Sequence, residues 1–380
     1  MRAGALLAAL ALIALPAIAQ EAPPQQGRIW KGTLGDQAIT ACFYDDGVRD
    51  GIYYADAARE PMRLVEFNEA EPLVEMTGRD DKTGAVWVLP PPEGNSRTGE
   101  WQGGDQTRQI SLTASTVTLP EYGSACQTAA FLDPLLGGGT VTSQRETFQG
   151  TAYTMREYKG PTRMGLEGYS FAAPALDPEQ PGDAAINAAL AAFLPDGTAA
   201  HTMGECVGMS LPSGISGYAE EALTPILITP RWLGLRNSGT GYCGGLHPNH
   251  FDTMVVYDRS SGAEVDPSRW FKPGALGFYE WESEIEPKPA KRPIAAPGKT
   301  LWKVITAHWP IRDGDSDDSG CGSPEEPFSS WEIGLTREGP VFVPQLPYVI
   351  FACTEEIVIP WAKARRFLSP EGRAVMDSLR

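Results

Sequence analysis

Ile29-Trp30-Lys31-Gly32-Thr33-Leu34, a turn at Gly35-Asp36, and then Ile39-Thr40-Ala41-Cys42-Phe43-Tyr44 decide the character of the first third of this 380-residue chain. Apolar and polar residues alternate, the period of a strand whose successive side chains point to opposite faces. Asp45-Asp46-Gly47 is a second turn and Gly51-Ile52-Tyr53-Tyr54 a third strand. Working outward, Met62–Phe67, Val74–Gly78, Ala85–Leu89, Gly99–Trp101 and Gln109–Thr113 repeat the pattern at short intervals, punctuated by Gly, Asp and Pro. Residues 27–127 are therefore expected to form a small all-β domain, a meander that closes or nearly closes like a barrel.

Upstream, Met1-Arg2, an apolar run from Ala3 to Leu15, Pro16 and Ala17-Ile18-Ala19 have the layout of a signal peptide, residues 1–19. The run is too short to span a hydrocarbon layer of roughly 30 Å. The expectation is a bacterial periplasmic (or secreted) protein that is not inserted in the membrane after signal removal.

Downstream, residues 128–150 contain Gly137-Gly138-Gly139 followed by Ser and Thr, which read as a linker. Residues 151–380 mix strands and helices. Thr151–Tyr158, Gly168–Phe171, Tyr218–Glu221, Ile226–Trp232 and Phe251–Tyr257 read as strands, with a hairpin turn over 258–262. Ile333–Thr336, Val341–Val343 and Glu356–Ile359 read as the last strands. Ala184–Leu194 is a short Ala-rich helix with Asp183 as its expected N-cap. Leu301–Ala307 and the tail Ala362–Leu379 read as further helices. The expected class is α+β.

The six cysteines, Cys42, Cys126, Cys206, Cys243, Cys321 and Cys353, are an even count, which in an exported chain reads as disulfides. Six allow fifteen pairings, so connectivity stays open. Their distribution favours the sequential set, Cys42–Cys126, Cys206–Cys243 and Cys321–Cys353, each bridge within one domain and worth about 3–4.5 kcal/mol by chain entropy. No C-x-x-C is present, so thiol-zinc spacing fails. The net charge of −17 repels nucleic acid and anionic lipid and favours solubility or a cationic partner.

Tyr242-Cys243-Gly244-Gly245-Leu246-His247-Pro248-Asn249, the strand Phe251–Tyr257, Asp258-x-x-x-Gly262, Val265-Asp266 and Trp270-Phe271 form one string. Leu335-Thr336-x-x-Gly339-x-Val341-Phe342, Pro347, Cys353 and Val358-Ile359-Pro360 end it. Over roughly residues 151–375 this resembles the RsiV-like domain family. The resemblance implies an antiparallel sheet with flanking helices, and makes Gly244, Gly245 and Pro248 a structural turn. It also implies binding: the family's founding domain is the extracellular, lysozyme-sensing part of an anti-sigma factor. A related domain is a non-catalytic part of peptidoglycan deacetylases. No membrane span or cytosolic segment is read before the domain, so anti-sigma activity is not expected, and with no recognisable deacetylase domain the deacetylase chemistry is not expected to carry over.

Candidate chemistry is sparse. His247 and His250 form H-x-x-H near Asp252, but Pro248 intervenes, and residues three apart on an extended chain point to opposite sides. Asp313-x-Asp315-x-Asp317-Asp318-x-Gly320 departs from a calcium loop at Asp318 and Pro324. Gly208-Met209-Ser210-Leu211-Pro212 lacks the second glycine of a nucleophile elbow. Glu286–Lys299 is a Pro-rich basic stretch that reads as a surface loop, and Trp232, Trp270, Trp302, Trp309 and Trp331 read as core. No catalytic residue, metal ligand or cofactor site is assigned. The expected role is a non-catalytic envelope binding protein whose partner is a lysozyme-like enzyme or peptidoglycan. The alternatives are a cell-wall hydrolase with an unrecognised carboxylate or His-metal site, and a scaffold.

Overall fold

A computed structural model describes residues 25–44, 50–68, 71–121, 123–163, 165–214, 217–279, 294–309 and 330–379. The first unit is an eight-stranded up-and-down barrel: β1 (Gln26–Leu34), β2 (Gln37–Phe43), β3 (Gly51–Ala55), β4 (Met62–Val65), β5 (Leu73–Thr77), β6 (Asp81–Val88), β7 (Ser96–Gly103) and β8 (Gln106–Thr118). It closes where β1 pairs antiparallel with β8, from Gln26↔Thr118 to Leu34↔Ile110. Alternation sorts the side chains. Trp30, Leu34, Ile39, Phe43, Tyr53, Trp87 and Ile110 fill the interior. Ile29, Cys42, Ile52 and Tyr54 face outward, yet are buried against the rest of the chain.

The segment 128–150, expected as a linker, is structured. It holds helix α1 (Ala129–Leu136) and strand β9 (Thr140–Phe148). Phe131, Leu132, Leu135 and Leu136 of α1 are buried in the same cluster as the barrel's outer face, and the Tyr54 hydroxyl donates to the Phe131 carbonyl at 3.1 Å. The triple glycine thus marks a sharp exit from a docked helix rather than a free tether.

A seven-stranded sheet follows, in the order β15-β14-β13-β12-β11-β10-β9. Its remaining strands are β10 (Thr151–Lys159), β11 (Tyr169–Leu176), β12 (Tyr218–Ile228), β13 (Trp232–Tyr242), β14 (Asn249–Asp258) and β15 (Ala263–Val265). The strand expected over Ile226–Trp232 straddles two: 226–228 end β12, 229–231 form the turn, and Trp232 opens β13. One face packs on α1, α2 (Asp183–Ala192), α3 (Thr202–Ser210) and the barrel. A five-stranded sheet covers part of the other face: β16 (Leu276–Tyr279), β17 (Ile294–Pro297), β18 (Trp331–Leu335), β19 (Pro340–Pro344) and β20 (Ile357–Val358). The two sheets come close because Gly234 of β13 has no side chain; a Cβ there would lie 2.7 Å from the Leu335 carbonyl oxygen. Trp302, Trp309 and Trp331 meet edge to face beneath α4 (Lys299–Thr306), in a core shared with Trp232 and Trp270. The tail is two helices, α5 (Trp361–Ala364) and α6 (Pro370–Ser378), joined by a 3₁₀ turn, because Pro370 starts a new helix. The chain is thus mostly antiparallel β with a few short helices, and an α+β description with a barrel-like first unit is compatible with it.

Two disulfides join the expected partners, Cys42–Cys126 and Cys206–Cys243. Cys353 is also disulfide-bonded; its expected partner Cys321 lies outside the described residues, as do residues 1–24, the acidic stretch 313–320 and most of 286–299. Asp183 departs from its expected place as N-cap. Gly182 holds that position, and Asp183 opens the helix with its carboxylate fully buried. There it accepts the Arg259 Nε and Nη2 hydrogens at 2.8 Å each and the Glu179 and Gln180 N–H groups, tying α2 to the β14–β15 hairpin.

Candidate functional site

The second face of the seven-stranded sheet is only partly covered, and the boundary is an ion cluster. Asp252 of β14 accepts from Arg236 of β13 through both oxygens (Nε–Oδ1 2.9 Å, Nη2–Oδ2 2.5 Å), and Arg236 Nη1 reaches Glu356 Oε1 at 2.5 Å. Asp252, joined by Glu356, holds the Arg236 guanidinium above its ordinary pKa against the opposing effect of burial. With that carboxylate engaged, Asp252 does not stand free beside the histidines.

Beyond the boundary, cross-strand register lines up polar side chains. Ser170 pairs with Glu220, Glu220 with Thr240, and Thr240 with His250. Glu157, Ala172, Ala222 and Ser238 form the neighbouring row. Small residues at the centre leave a groove of about 480 Å³ lined by the acids Glu157 and Glu220 and by part of Glu221, whose carboxylate turns to the covered face to meet Asn237. Thr240 Oγ1 is buried there without a hydrogen-bond partner. β11 and β12 pair only over Tyr169–Ala172 and Ala219–Ala222, the sheet's one parallel contact.

At the end of the first row the loop 243–248 meets the 3₁₀ helix Tyr348–Cys353. The Cys206–Cys243 bridge ties the base of this loop to α3. Gly244 and Gly245 have φ of +92° and +115°, which side-chain-bearing residues rarely adopt, so the chain can reverse there. The His247 ring stacks on Tyr348 (centroids 4.2 Å apart, planes at 14°), and His250 lies parallel to both Tyr348 and Phe351. Both histidines therefore share one aromatic neighbour, whereas an extended chain would send them apart. His247 precedes β14 and lies in the bend, so strand alternation does not govern it. Pro248 follows in that bend, its carbonyl within 2.8 Å of His247 Nδ1, and Asn249 starts the strand. Leu246 is fully exposed and Val349 is 85% exposed, and Tyr348 and the neighbouring Met209 are also exposed. Ordinary folding buries such residues; an exposed cluster of them marks a contact surface.

No protein-family model matches the chain, and no curated protein matches it in sequence. Among solved structures it is similar to DUF3298 family proteins. One is from Pseudomonas aeruginosa PAO1, at 12% identity and TM-score 0.37, covering 62% of this chain and 96% of that one. Another is from Bacteroides fragilis NCTC 9343, at 13% identity and TM-score 0.37, covering 64% and 96%. At this overlap they carry no argument about what the chain does.

The other candidates have structural occupations. His201 caps α3: its Nδ1 accepts the Met203 N–H at 3.0 Å and its Nε2 lies 2.9 Å from the Phe193 carbonyl. Ser210 is buried and donates to the Val207 carbonyl. His308 Nδ1 lies 2.8 Å from the Val304 carbonyl. Among the described residues no three of His, Cys, Asp and Glu are grouped to hold a metal ion, and no helix is long and apolar enough to cross a membrane. Tyr348 and the groove acids were missed by sequence reasoning. The only signal available was the polar alternation of Ser238 and Thr240 in β13.

Proposed function

We propose that this is a binding protein of the bacterial cell envelope, of the RsiV-like type. Its open sheet face receives a basic protein partner of the lysozyme class. The observation that carries the reading is the exposed stack of His247 on Tyr348, with the fully exposed Leu246 in the same loop, at the end of an acidic groove. Stacked rings supply rigid contact area at low entropic cost, the usual chemistry of interface anchors. Glu157 and Glu220, on a chain of net charge −17, supply electrostatic steering toward a cation-rich surface. The disulfides fit an oxidising compartment.

The test is binding of the chain from Gln20 to lysozyme and, separately, to insoluble peptidoglycan. Saturable lysozyme binding that weakens with salt and drops by on the order of tenfold or more in Tyr348→Ala is expected. Peptidoglycan capture without lysozyme binding would assign the face to glycan instead. Binding to neither would end the proposal.

A further inference from the structure

The barrel has a second, separate opening. Antiparallel topology places 66–68 and 71–72, between β4 and β5, at the same end as 89–95, between β6 and β7, while β1–β2 and β7–β8 turn tightly at the other end through 35–36 and 104–105. A cavity of about 490 Å³ lies among the longer connections, within the range of small-molecule sites. Its wall is mostly apolar: Pro72, Leu73, Trp87, Leu89 and Pro90. Trp87 is held rigidly, because its Nε1 donates to Glu75 Oε2 at 3.2 Å and its ring lies 4.6 Å from that of Tyr53. A site fixed before binding loses less entropy on occupation.

One side chain in this wall carries a charge with no counter-ion among the described residues. Arg97 of β7 is only 3% exposed. Its Nε donates to the Pro90 carbonyl at 3.1 Å, Nη2 lies 3.5 Å from the Leu89 carbonyl, and the guanidinium sits 4.6 Å over the Phe43 ring. Nη1 is buried with no hydrogen-bond partner, and among the described residues no carboxylate pairs with this cation. A buried cation without a counter-charge costs several kcal/mol, so a ligand that brings the missing charge recovers part of that cost on binding. Burial, with a smaller push from Arg28, lowers the Arg97 pKa to about 10, so it is still cationic at neutral pH. Glu66 and Glu71 also line the cavity, but neither is the counter-ion. Glu71 is exposed and screened by solvent, and neither Glu66 nor Glu71 forms an ion pair with Arg97.

We infer that the open end of the barrel binds a small amphiphilic carboxylate, its head group on Arg97 and its apolar body against Leu73, Trp87 and Leu89. A planar carboxylate matches the guanidinium fork, and the apolar wall selects against fully hydrophilic anions. The site is independent of the sheet face and stands or falls apart from it.

The experiment titrates the chain with decanoate and with its neutral match decanol, following tryptophan fluorescence and heat. Decanoate is expected to bind saturably at one site, and decanol on the order of tenfold or more weaker. Arg97→Met is expected to erase that difference by weakening decanoate alone. Pro72→Trp, at the exposed rim, fills the mouth without touching Arg97 and is expected to weaken both ligands, with the far-UV circular dichroism unchanged. Equal binding of decanoate and decanol by the unaltered chain, or binding of neither, overturns the inference whether or not Arg97→Met folds. So does decanoate binding that survives in a folded Arg97→Met.

Discussion

The barrel and the seven-stranded sheet are built from the same kind of strand, yet they dispose of charge in opposite ways. The barrel closes β1 on β8, so one face of every strand turns inward and carries Glu75 and Arg97 with it. The seven-stranded sheet stays open, and its Glu220 and His250 meet water. Closing a sheet removes its edges and gives it an interior with a mouth. Leaving it open gives it a face. A polar residue in the first setting must be satisfied by the protein or by a guest, whereas in the second water suffices until a partner arrives.

The sharpest way to break this contrast is at Glu75. Its Oε2 accepts from the Tyr53 hydroxyl at 2.5 Å, Trp87 Nε1 at 3.2 Å and Trp101 Nε1 at 3.0 Å, and its Oε1 accepts from Thr83 at 3.0 Å. Burial, reinforced by this carboxylate, pushes the Tyr53 phenol far up, so it stays a donor at any ordinary pH. Glu75→Leu orphans donors that cost ~1–3 kcal/mol each when left unpaired, and the expected loss in urea unfolding is about 4 kcal/mol. Glu220→Ala, on the open face, is expected to stay within about 0.5 kcal/mol. Equal losses at the two positions would remove the distinction between interior and face.

A smaller effect tests the same contrast within the second unit. The Asp183–Arg259 pair is almost fully buried, while Arg145 and Asp177 pair in the open, each about half exposed. Asp183→Asn is expected to cost about 3 kcal/mol, because it leaves Arg259 buried without its counter-charge. Asp177→Asn is expected to cost well under ~1 kcal/mol. Burial opposes ionisation of Asp183, but Arg259 and the Gln180 and Glu179 N–H groups outweigh it and hold the carboxyl below the usual range. Its contribution is therefore present above the ordinary aspartate pKa and lost as pH falls through the lower folded value. Acid titration of stability in wild type and Asp183→Asn checks this, since the variant should lack that part of the acid slope.

How much of this was legible follows the same division. The barrel strands could be read because inward apolar residues alternate with outward polar ones between Gly and Asp turns. β9 could not: it is a mostly exposed edge strand, Thr140–Phe148, behind three glycines, and it resembles a linker. β13 was hidden because Gly234, Gly239 and Gly241 interrupt it and its outer half faces the groove. Asp183 was read as a cap because local sequence announces helix starts, whereas its true partner, Arg259, comes from a distant hairpin. The stack of His247 on Tyr348 and the lodging of Arg97 beside Phe43 depend on tertiary contacts that no local pattern encodes.

The smallest expected effect lies on the sheet's covered face, beside Asn237. Glu221 of β12 accepts from Asn237 Nδ2 at 2.9 Å. Burial raises the Glu221 carboxyl pKa, and Asn237 and His201 only partly offset that. A carboxyl raised in the folded state contributes stability that is full below its unfolded pKa and is lost as pH rises through the folded value. Near pH 4 the Glu221→Gln variant should match wild type. By pH 7 wild type has lost that contribution and the neutral amide has not, so the variant should be more stable by a few tenths of a kcal/mol. Gln keeps an oxygen for Asn237 Nδ2 and adds an N–H near Asn237 Oδ1, which is buried without a partner. Paired urea titrations at the two pH values measure the difference. A stability gap that is the same at both would show that Glu221 is solvated like the acids of the open groove, and the covered and open faces would then not differ in how they treat a carboxylate.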